Sequence, residues 1–183
     1  MTTIAYKLGV GIAADRTVTA GDDRMPPRAK IFEIGDYVFG VCGYLGPALD
    51  AMILLQDWLA VNLLDVGVNE PMIRRQLQPF FAGYREWLKE LPPEHECGFD
   101  VVLIDKRCPY IVLSFSRDVH LVSCFDVSSG HQIEAWGRGA DVAKGAMLAG
   151  ASPEDAVRIA AMLTVGTSHA NNFIPIPLTG ASA

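Results

Sequence analysis

Short apolar runs separated by turn residues open the chain. Runs of this kind, bounded by glycine, are typical of strands in β-hairpins. We predict two hairpins, with strands at 4–6 and 10–14 and at 31–34 and 37–41. The segment 16–29, which joins the hairpins, is polar and rich in turn-forming residues.

The pattern then changes to helical periods. Residues 46–64 are apolar on almost every side, which is typical of a helix covered by its neighbours. Over 70–91 the apolar residues recur at steps of three and four, so they share one helix face. Pro92 and Pro93 should end this helix, because proline cannot continue it.

The second half repeats the order of strands followed by helices. Apolar runs predict strands at 99–105, 109–115, 118–125 and 131–136. Helices should follow at about 139–149 and 153–163. Ser152 and Pro153 are favourable first residues for the last helix. Blocks of strands and helices in this order indicate an α+β fold of packed layers.

Composition decides between two interpretations of this apolar chain. Half of the 183 residues are apolar, which suits either a membrane protein or an oligomer. The most apolar stretch contains Asp50, Gln56 and Asp57, whereas a spanning helix needs about 20 apolar residues with few charges. We therefore expect an oligomer, without membrane association, built from one domain over 1–183 with a flexible tail at 176–183.

Net charge and cysteine content restrict the classes of binding partner and the cellular compartment that we expect. The net charge is −6 and the basic residues are scattered, which argues against nucleic-acid binding. Cys42, Cys97, Cys108 and Cys124 form no CxxC pair, so we expect reduced thiols. Because no signal-like segment opens the chain either, we expect a cytoplasmic protein.

The first residues carry the main chemical hypothesis. Thr2 is small, and a small second residue generally permits removal of Met1. Thr2 would then hold a hydroxyl and a free α-amine, whose pKa is about 8. The amine can take the hydroxyl proton, directly or through one water, and so make the hydroxyl a nucleophile without a histidine base.

Four short segments resemble the β subunits of proteasomes. They are Thr2-Thr3-Ile4-Ala5, Ala13-Ala14-Asp15, Lys30-Ile31 and Gly40-Val41-Cys42-Gly43. The chain is similar to the short bacterial members, in particular to the HslV-like bacterial proteasome homologues of β-proteobacteria. This resemblance implies a four-layer αββα sandwich of the N-terminal-nucleophile hydrolase type. It also implies threonine peptidase activity that needs no cofactor and no metal.

The resemblance further implies a role for each matching residue. Thr2 would be the nucleophile and the base, Lys30 would lower the pKa of its hydroxyl, and Asp15 would hold Lys30 charged. The N–H of Gly43 would stabilise the oxyanion. Thr19 and Gly43 would pair with the substrate backbone.

A mostly apolar set of residues matches the main specificity pocket of the family. The set is Arg28, Phe32, Val41 and Leu45. We therefore predict cleavage after apolar residues.

Several of these residues also have a simpler interpretation. Asp15 could cap a turn, Lys30 could be a solvated strand residue, and Gly43 could be an ordinary turn glycine. We expect Cys42 to be a small apolar pocket residue, with a Cys–His nucleophile as the alternative. The four histidines lack ligand spacing, so we predict no metal site.

The chain departs from the family pattern in two places. The family has Gly-Ser-Gly, with a serine that touches the catalytic amine, where this chain has Gly137-Arg138-Gly139. Arg138 would disfavour the protonated amine if it points inward and would have no effect if it points outward. A later Asp and Ser of the family fall on Thr164 and Thr167. We therefore expect weak activity.

The resemblance finally implies assembly into stacked rings. We expect two rings of seven subunits, with rings of six as the alternative. Such rings would confine Thr2 in a chamber that admits unfolded polypeptides, with an ATP-dependent unfoldase as a possible partner. Two rival functions stay open, namely an amidase for small molecules, which needs no closed ring, and a ring scaffold without activity.

Overall fold

The computed structural model describes residues 2–20, 23–65, 70–90, 98–109, 111–116, 120–124, 132–164 and 171–178. The strands are β1 (Thr3–Lys7), β2 (Gly11–Asp15), β3 (Val18–Ala20), β4 (Asp23–Met25), β5 (Ile31–Ile34), β6 (Tyr37–Gly43), β7 (Phe99–Asp105), β8 (Ile111–Ser116), β9 (His120–Cys124), β10 (Ile133–Gly137) and β11 (Asn171–Pro175). The helices are α1 (Leu45–Val61), α2 (Glu70–Gln76), α3 (Gln78–Glu90), α4 (Ala140–Leu148) and α5 (Pro153–Leu163).

Two antiparallel sheets form the centre of the molecule. The first sheet has the strand order β10-β1-β2-β11 and the second the order β5-β6-β7-β8-β9, while β3 and β4 form a separate hairpin. Helices α4 and α5 cover the first sheet, α1 covers the second, and β1 and β10 face β6 across the sandwich. The four layers therefore follow the order αββα, and the predicted fold is confirmed.

Each of the three layer boundaries has its own apolar core. Large side chains such as Tyr6, Ile12 and Val102 fill the space between the sheets. Several aromatic residues, among them Phe80, Phe81 and Phe115, pack together under α1 and α3. Under α4 and α5 the core is built mainly from alanines, which let the helices approach the first sheet closely: Ala5, Ala13, Ala135, Ala143, Ala156 and Ala160.

Several local predictions from the sequence are also confirmed. Gly9 has a φ of +76°, as the tight turn between β1 and β2 requires. The Ser152 hydroxyl accepts the N–H of Asp155 at 3.1 Å and caps α5. Cys42 and Cys108 are buried free thiols.

Four features differ from the sequence-based expectations. The helix predicted over 70–91 is broken between α2 and α3, because Pro79 lacks an N–H and its ring clashes with the preceding turn. The turn-rich segment 16–29 contains β3 and β4, and β11 was not predicted. The expected tail at 176–183 does not begin at Ile176, which is fully buried and donates its N–H to the Val10 carbonyl at 3.2 Å.

Among the described residues, no helix is long and apolar enough to cross a lipid bilayer. Residues 179–183 of the expected tail lie outside the described part of the chain.

Candidate active site

Thr2 lies directly before β1, against the turn that leads from β10 to α4. The N–H of Arg138 donates to the Thr2 carbonyl at 3.0 Å, and Thr2 is only 5% exposed. A side chain at Gly137 would overlap the Thr2 carbonyl oxygen, and one at Gly139 would overlap the Thr3 hydroxyl. The two glycines therefore let this turn pack directly on the start of β1.

Asp15, the last residue of β2, accepts hydrogen bonds from three different residues. Its Oδ1 accepts the N–H of Thr3 at 2.7 Å, and its Oδ2 accepts the N–H of Thr17 at 3.0 Å. The Lys30 ammonium lies 3.3 Å from both carboxylate oxygens. Because Asp15 is fully buried, these bonds hold the carboxylate in one orientation.

Lys30 is a buried cation rather than a solvated strand residue. It precedes β5, is 2% exposed, and is tied to β6 by the Val41 N–H, which donates to the Lys30 carbonyl at 2.8 Å. Burial lowers the pKa of Lys30, while the Asp15 carboxylate acts in the opposite direction. Asp15 caps the turn at Thr17 and also pairs with Lys30, so the two interpretations of this residue are compatible.

Thr2 and Lys30 open onto one pocket of about 160 Å³, which Thr17, Val18 and residues 43–46 also line. Gly43 ends β6 with a φ of +83°, and a side chain there would overlap the Gly98 carbonyl oxygen. A glycine is therefore required at this position, where β6 turns into α1 beside the pocket.

The predicted substrate-binding residues do not all reach this pocket. Leu45 lines it, whereas Arg28 is exposed and donates its N–H to the Arg16 carbonyl at 3.1 Å. Phe32 packs against the core under α1. Val41 is fully buried in the same core. Its strand places the side chain in the core under α1, so a contact between Val41 and substrate stays a prediction.

The remaining predicted residues lie at the margins of the site or cannot be placed. Thr19 pairs through its backbone with Arg24 in the β3–β4 hairpin. Arg138 is exposed, and Thr164 caps the C-terminus of α5, where its N–H donates to the Ala160 carbonyl at 2.8 Å. Thr167 lies outside the described residues.

Two polar residues of the site were missed in the sequence. Thr17 follows Asp15 at the spacing of an Asx turn, so the Asp-x-Thr pattern after a strand could have indicated it. Asp100 lies opposite Cys42 in the register of β6 and β7, and its Oδ2 accepts the Cys42 thiol at 3.3 Å. No local motif indicates Asp100, because the contact depends on strand pairing between distant segments.

Two of the alternative chemistries gain no support from the site. Cys42 is 1% exposed and burial raises the pKa of its thiol, which makes a thiolate nucleophile unfavourable. No three His, Cys, Asp or Glu residues in the described ranges are grouped so that they could hold a metal ion.

Comparison with known proteins supports the fold and leaves the activity open. No protein-family model matches the chain, and no curated protein matches it in sequence. Eukaryotic HslV from Trypanosoma brucei is similar in structure, with a TM-score of 0.64, 18% identity, and coverage of 97% of this chain and 100% of HslV.

Two structures of BPH from Thiobacillus denitrificans are similar as well. The complex with epoxomicin has a TM-score of 0.67 and 18% identity, and it covers 98% of this chain and 100% of BPH. The other structure has a TM-score of 0.66 and 20% identity, with 97% and 98% coverage. The resemblance found in the four short segments is thus confirmed at the level of structure, and the chain has the fold of HslV and BPH.

Proposed function

We propose that this chain is the threonine endopeptidase subunit of a ring-shaped protease. The observation that carries the proposal is the buried Asp15–Lys30 ion pair, which shares one pocket with Thr2. A buried ammonium costs several kcal/mol to desolvate, so its position in a pocket that Thr2 also lines is best explained by chemistry at Thr2.

The first step is attack by Thr2 on the scissile carbonyl. Once Met1 is removed, the α-amine takes the Oγ proton, directly or through one water, as Oγ bonds to the carbonyl carbon. The Lys30 ammonium favours the developing alkoxide of Thr2. The Gly43 N–H would donate to the carbonyl oxygen as it becomes an oxyanion, an interaction typically worth about 3–4 kcal/mol.

The second step breaks the peptide bond and then restores the enzyme. The protonated amine of Thr2 gives its proton to the leaving nitrogen, which departs as the new N-terminus and leaves an ester on Oγ. A water then attacks this ester with the same amine as base. The acid product leaves and Thr2 regains its hydroxyl proton.

The pocket favours substrates with an apolar residue before the cleaved bond. Leu45 and Val18 contribute apolar lining, and about 160 Å³ accommodates a single side chain. Peptides that differ only in an apolar, acidic or basic residue at that position should be cut in that order of preference. A clear preference for the acidic peptide would overturn this assignment.

Ring assembly would explain the apolar residues left on the surface of one chain. Val61, Leu63, Leu148 and Leu163 are 82%, 84%, 78% and 72% exposed, and apolar surface of this kind is typical of contacts between subunits. Two rings of seven, or of six, in the cytoplasm would confine Thr2 and admit unfolded polypeptides, delivered by an ATP-dependent unfoldase. A monomeric native mass would instead favour the small-molecule amidase.

A ring scaffold without activity is the second candidate function. It is favoured by Arg138 and Thr164, which stand where the family pattern has a serine and an aspartate. An Arg side chain cannot accept a hydrogen bond from the catalytic amine.

Covalent labelling separates these functions. An epoxyketone reacts with a hydroxyl and an amine on the same residue, and BPH of T. denitrificans is known in complex with epoxomicin. We expect epoxomicin to add one inhibitor mass to the wild-type chain and to Thr2→Ser, and none to Thr2→Ala. Both substitutions keep a small second residue, so Met1 removal stays possible. Equal labelling of Thr2→Ala, or none of the wild type, would contradict the peptidase.

A further inference from the structure

The base of the proposed mechanism does not exist until Met1 is removed. While Met1 is attached, the nitrogen of Thr2 belongs to a peptide bond, and resonance with the carbonyl makes its lone pair unavailable to a proton. Thr2 therefore cannot use this nitrogen to activate its own hydroxyl against the Met1–Thr2 bond. The mechanism supplies no base for self-cleavage, which leaves the cut to a second enzyme.

The Thr2 side of this bond is enclosed by the fold. Thr2 is 5% exposed and Thr3 is fully buried. The Thr2 carbonyl accepts the N–H of Arg138 at 3.0 Å, and the Thr3 N–H donates to Oδ1 of Asp15 at 2.7 Å. An aminopeptidase must bind the residues on both sides of the bond, so it can reach these groups only when the start of β1 opens.

The start of β1 is held on both edges. In the first sheet β1 lies between β10 and β2. Thr3 is the partner of Gly137 on β10. Ile4, the next residue, is the partner of Ala14 on β2. Opening this end therefore separates β1 from two strands, whereas an unpaired terminus frays at almost no cost.

The residues that close over Thr2 are made late in synthesis. Gly137 lies so close to the Thr2 carbonyl that a side chain there would overlap it, and Gly139 lies equally close to the Thr3 hydroxyl. This turn follows Thr2 by about 135 residues, an interval of roughly 7–30 s at the usual rate of protein synthesis. The first residues thus stay accessible while the chain grows and are enclosed once β10 and the turn have formed.

We propose that a methionine aminopeptidase removes Met1 before residues 137–139 close over Thr2, and that the closed turn prevents removal afterwards. Hydrolysis adds the hydroxyl of one water to the Met1 carbonyl carbon, which leaves as the carboxylic acid of free methionine. The remaining proton goes to the Thr2 nitrogen, which becomes the α-amine. This inference deepens the proposed peptidase function and rests on it, because it fixes when the base of Thr2 is formed.

The test compares two times of adding the aminopeptidase. The chain is made by cell-free synthesis from purified components, with deformylase present throughout, and intact mass measures the loss of Met1. Purified methionine aminopeptidase present during synthesis should yield chains that begin at Thr2. Added after folding, it should remove Met1 roughly a hundredfold more slowly than from a peptide of residues 1–6, because removal then requires opening of β1.

Two glycine variants locate the protection. Gly137→Ala adds a side chain that overlaps the Thr2 carbonyl at a φ of +86°, so removal after folding should become about tenfold faster. Gly150→Ala has a similar backbone strain at a φ of +101°, but a side chain there meets no atom within 4 Å and lies far from β1 in the chain. Removal from this variant should stay slow. Equal acceleration in both variants would overturn the role of the turn.

Thr2→Ala separates the order of events from activity. Alanine is also a small second residue, so this chain should lose Met1 under the same conditions as the wild type. Equal rates before and after folding would overturn the proposal. So would loss of Met1 without aminopeptidase in the wild type but not in Thr2→Ala. A chain that begins at Thr2 yet takes up no epoxomicin overturns the peptidase alone.

Discussion

The two halves of the candidate site are built in different ways. In the carboxylate half, Asp15 and Lys30 are buried and joined by charged side chains. In the turn half, the backbone N–H of Arg138 donates to the Thr2 carbonyl, and the Arg138 side chain is exposed. Thr164, the other departure from the family pattern, is a helix cap on α5.

This difference indicates which substitutions should abolish activity and which should only adjust it. Charged hydrogen bonds in a buried site are strong and costly to leave unpaired. A backbone contact survives a change of side chain, so position 138 tolerates an arginine where the family pattern has a serine. We therefore expect the carboxylate half to decide whether Thr2 reacts and the turn half to decide how fast.

The largest effect should come from breaking the ion pair. Lys30→Met fills similar volume but leaves the Asp15 carboxylate without its cation, so turnover should fall by a factor of roughly 10²–10³. Loss of one partner of a buried pair should also lower the free energy of unfolding by about 3–5 kcal/mol. Peptide cleavage and urea unfolding measure the two effects.

The matched control for this substitution is Lys106→Met. Lys106 pairs with Glu33 at 2.8 Å on the surface, where ion pairs contribute about 0–1 kcal/mol. Wild-type turnover in Lys30→Met would remove Lys30 from the mechanism.

The second-largest loss of turnover should come from a substitution of Gly43, which lies at the border of the two halves. Gly43→Ala combines a positive φ with overlap against the Gly98 carbonyl, and the backbone strain alone costs about 1–3 kcal/mol. The Gly43 N–H should move, and turnover should fall by about 10² or more. Gly83→Ala in α3, where a Cβ meets open space, should instead stabilise the protein by roughly 0.5–1 kcal/mol.

The pH dependence should show both titrating groups of the mechanism. Activity needs the free amine of Thr2, so the acidic limb should lie near or below the usual value of about 8. It also needs the Lys30 ammonium, whose pKa is lowered from 10.5 by burial, so the alkaline limb should lie below 10.5. An alkaline limb that persists unchanged in Lys30→Arg would show that another group titrates.

The same lowered pKa has a consequence for stability. Folded Lys30 gives up its proton at a lower pH than the unfolded chain, so the unfolded state binds more protons between the two values. The contribution of Lys30 to the free energy of unfolding should therefore rise with pH through that window. Lys30→Met should remove this slope.

The smallest effect is expected in the turn half. Arg138→Ser and Thr164→Asp would restore groups that can accept a hydrogen bond from the amine, each worth about 1 kcal/mol. Turnover of the double variant should rise roughly thirtyfold if the two contributions add. A fall in turnover would contradict the alignment of both positions with the family pattern.

The sequence was sufficient to predict the layers of the fold. It was not sufficient to predict contacts that depend on the register of paired strands. Apolar periods and the Ser152 cap predicted most strands and helices. The strand β11 was missed because Asn171 and Asn172 have low β-propensity and pair with β2, far away in the chain.

Within the site, residues carried by a local motif were predicted and those set by strand pairing were not. The chain brings Asp15, Lys30 and Gly43 to the Thr2 end of the sandwich. The position of Val41 in the core under α1 could not be predicted, because the face on which a strand side chain lies follows from the sheet and its covering helix. Asp100 meets Cys42 only through the register of β6 and β7.

The central claim is that Thr2 carries a free amine beside the buried Lys30. The intact mass of the purified, assembled protein tests it most directly. We predict the mass of a chain that begins at Thr2, with epoxomicin adding one equivalent. A native assembly that retains Met1 would block the amine and contradict the proposed mechanism.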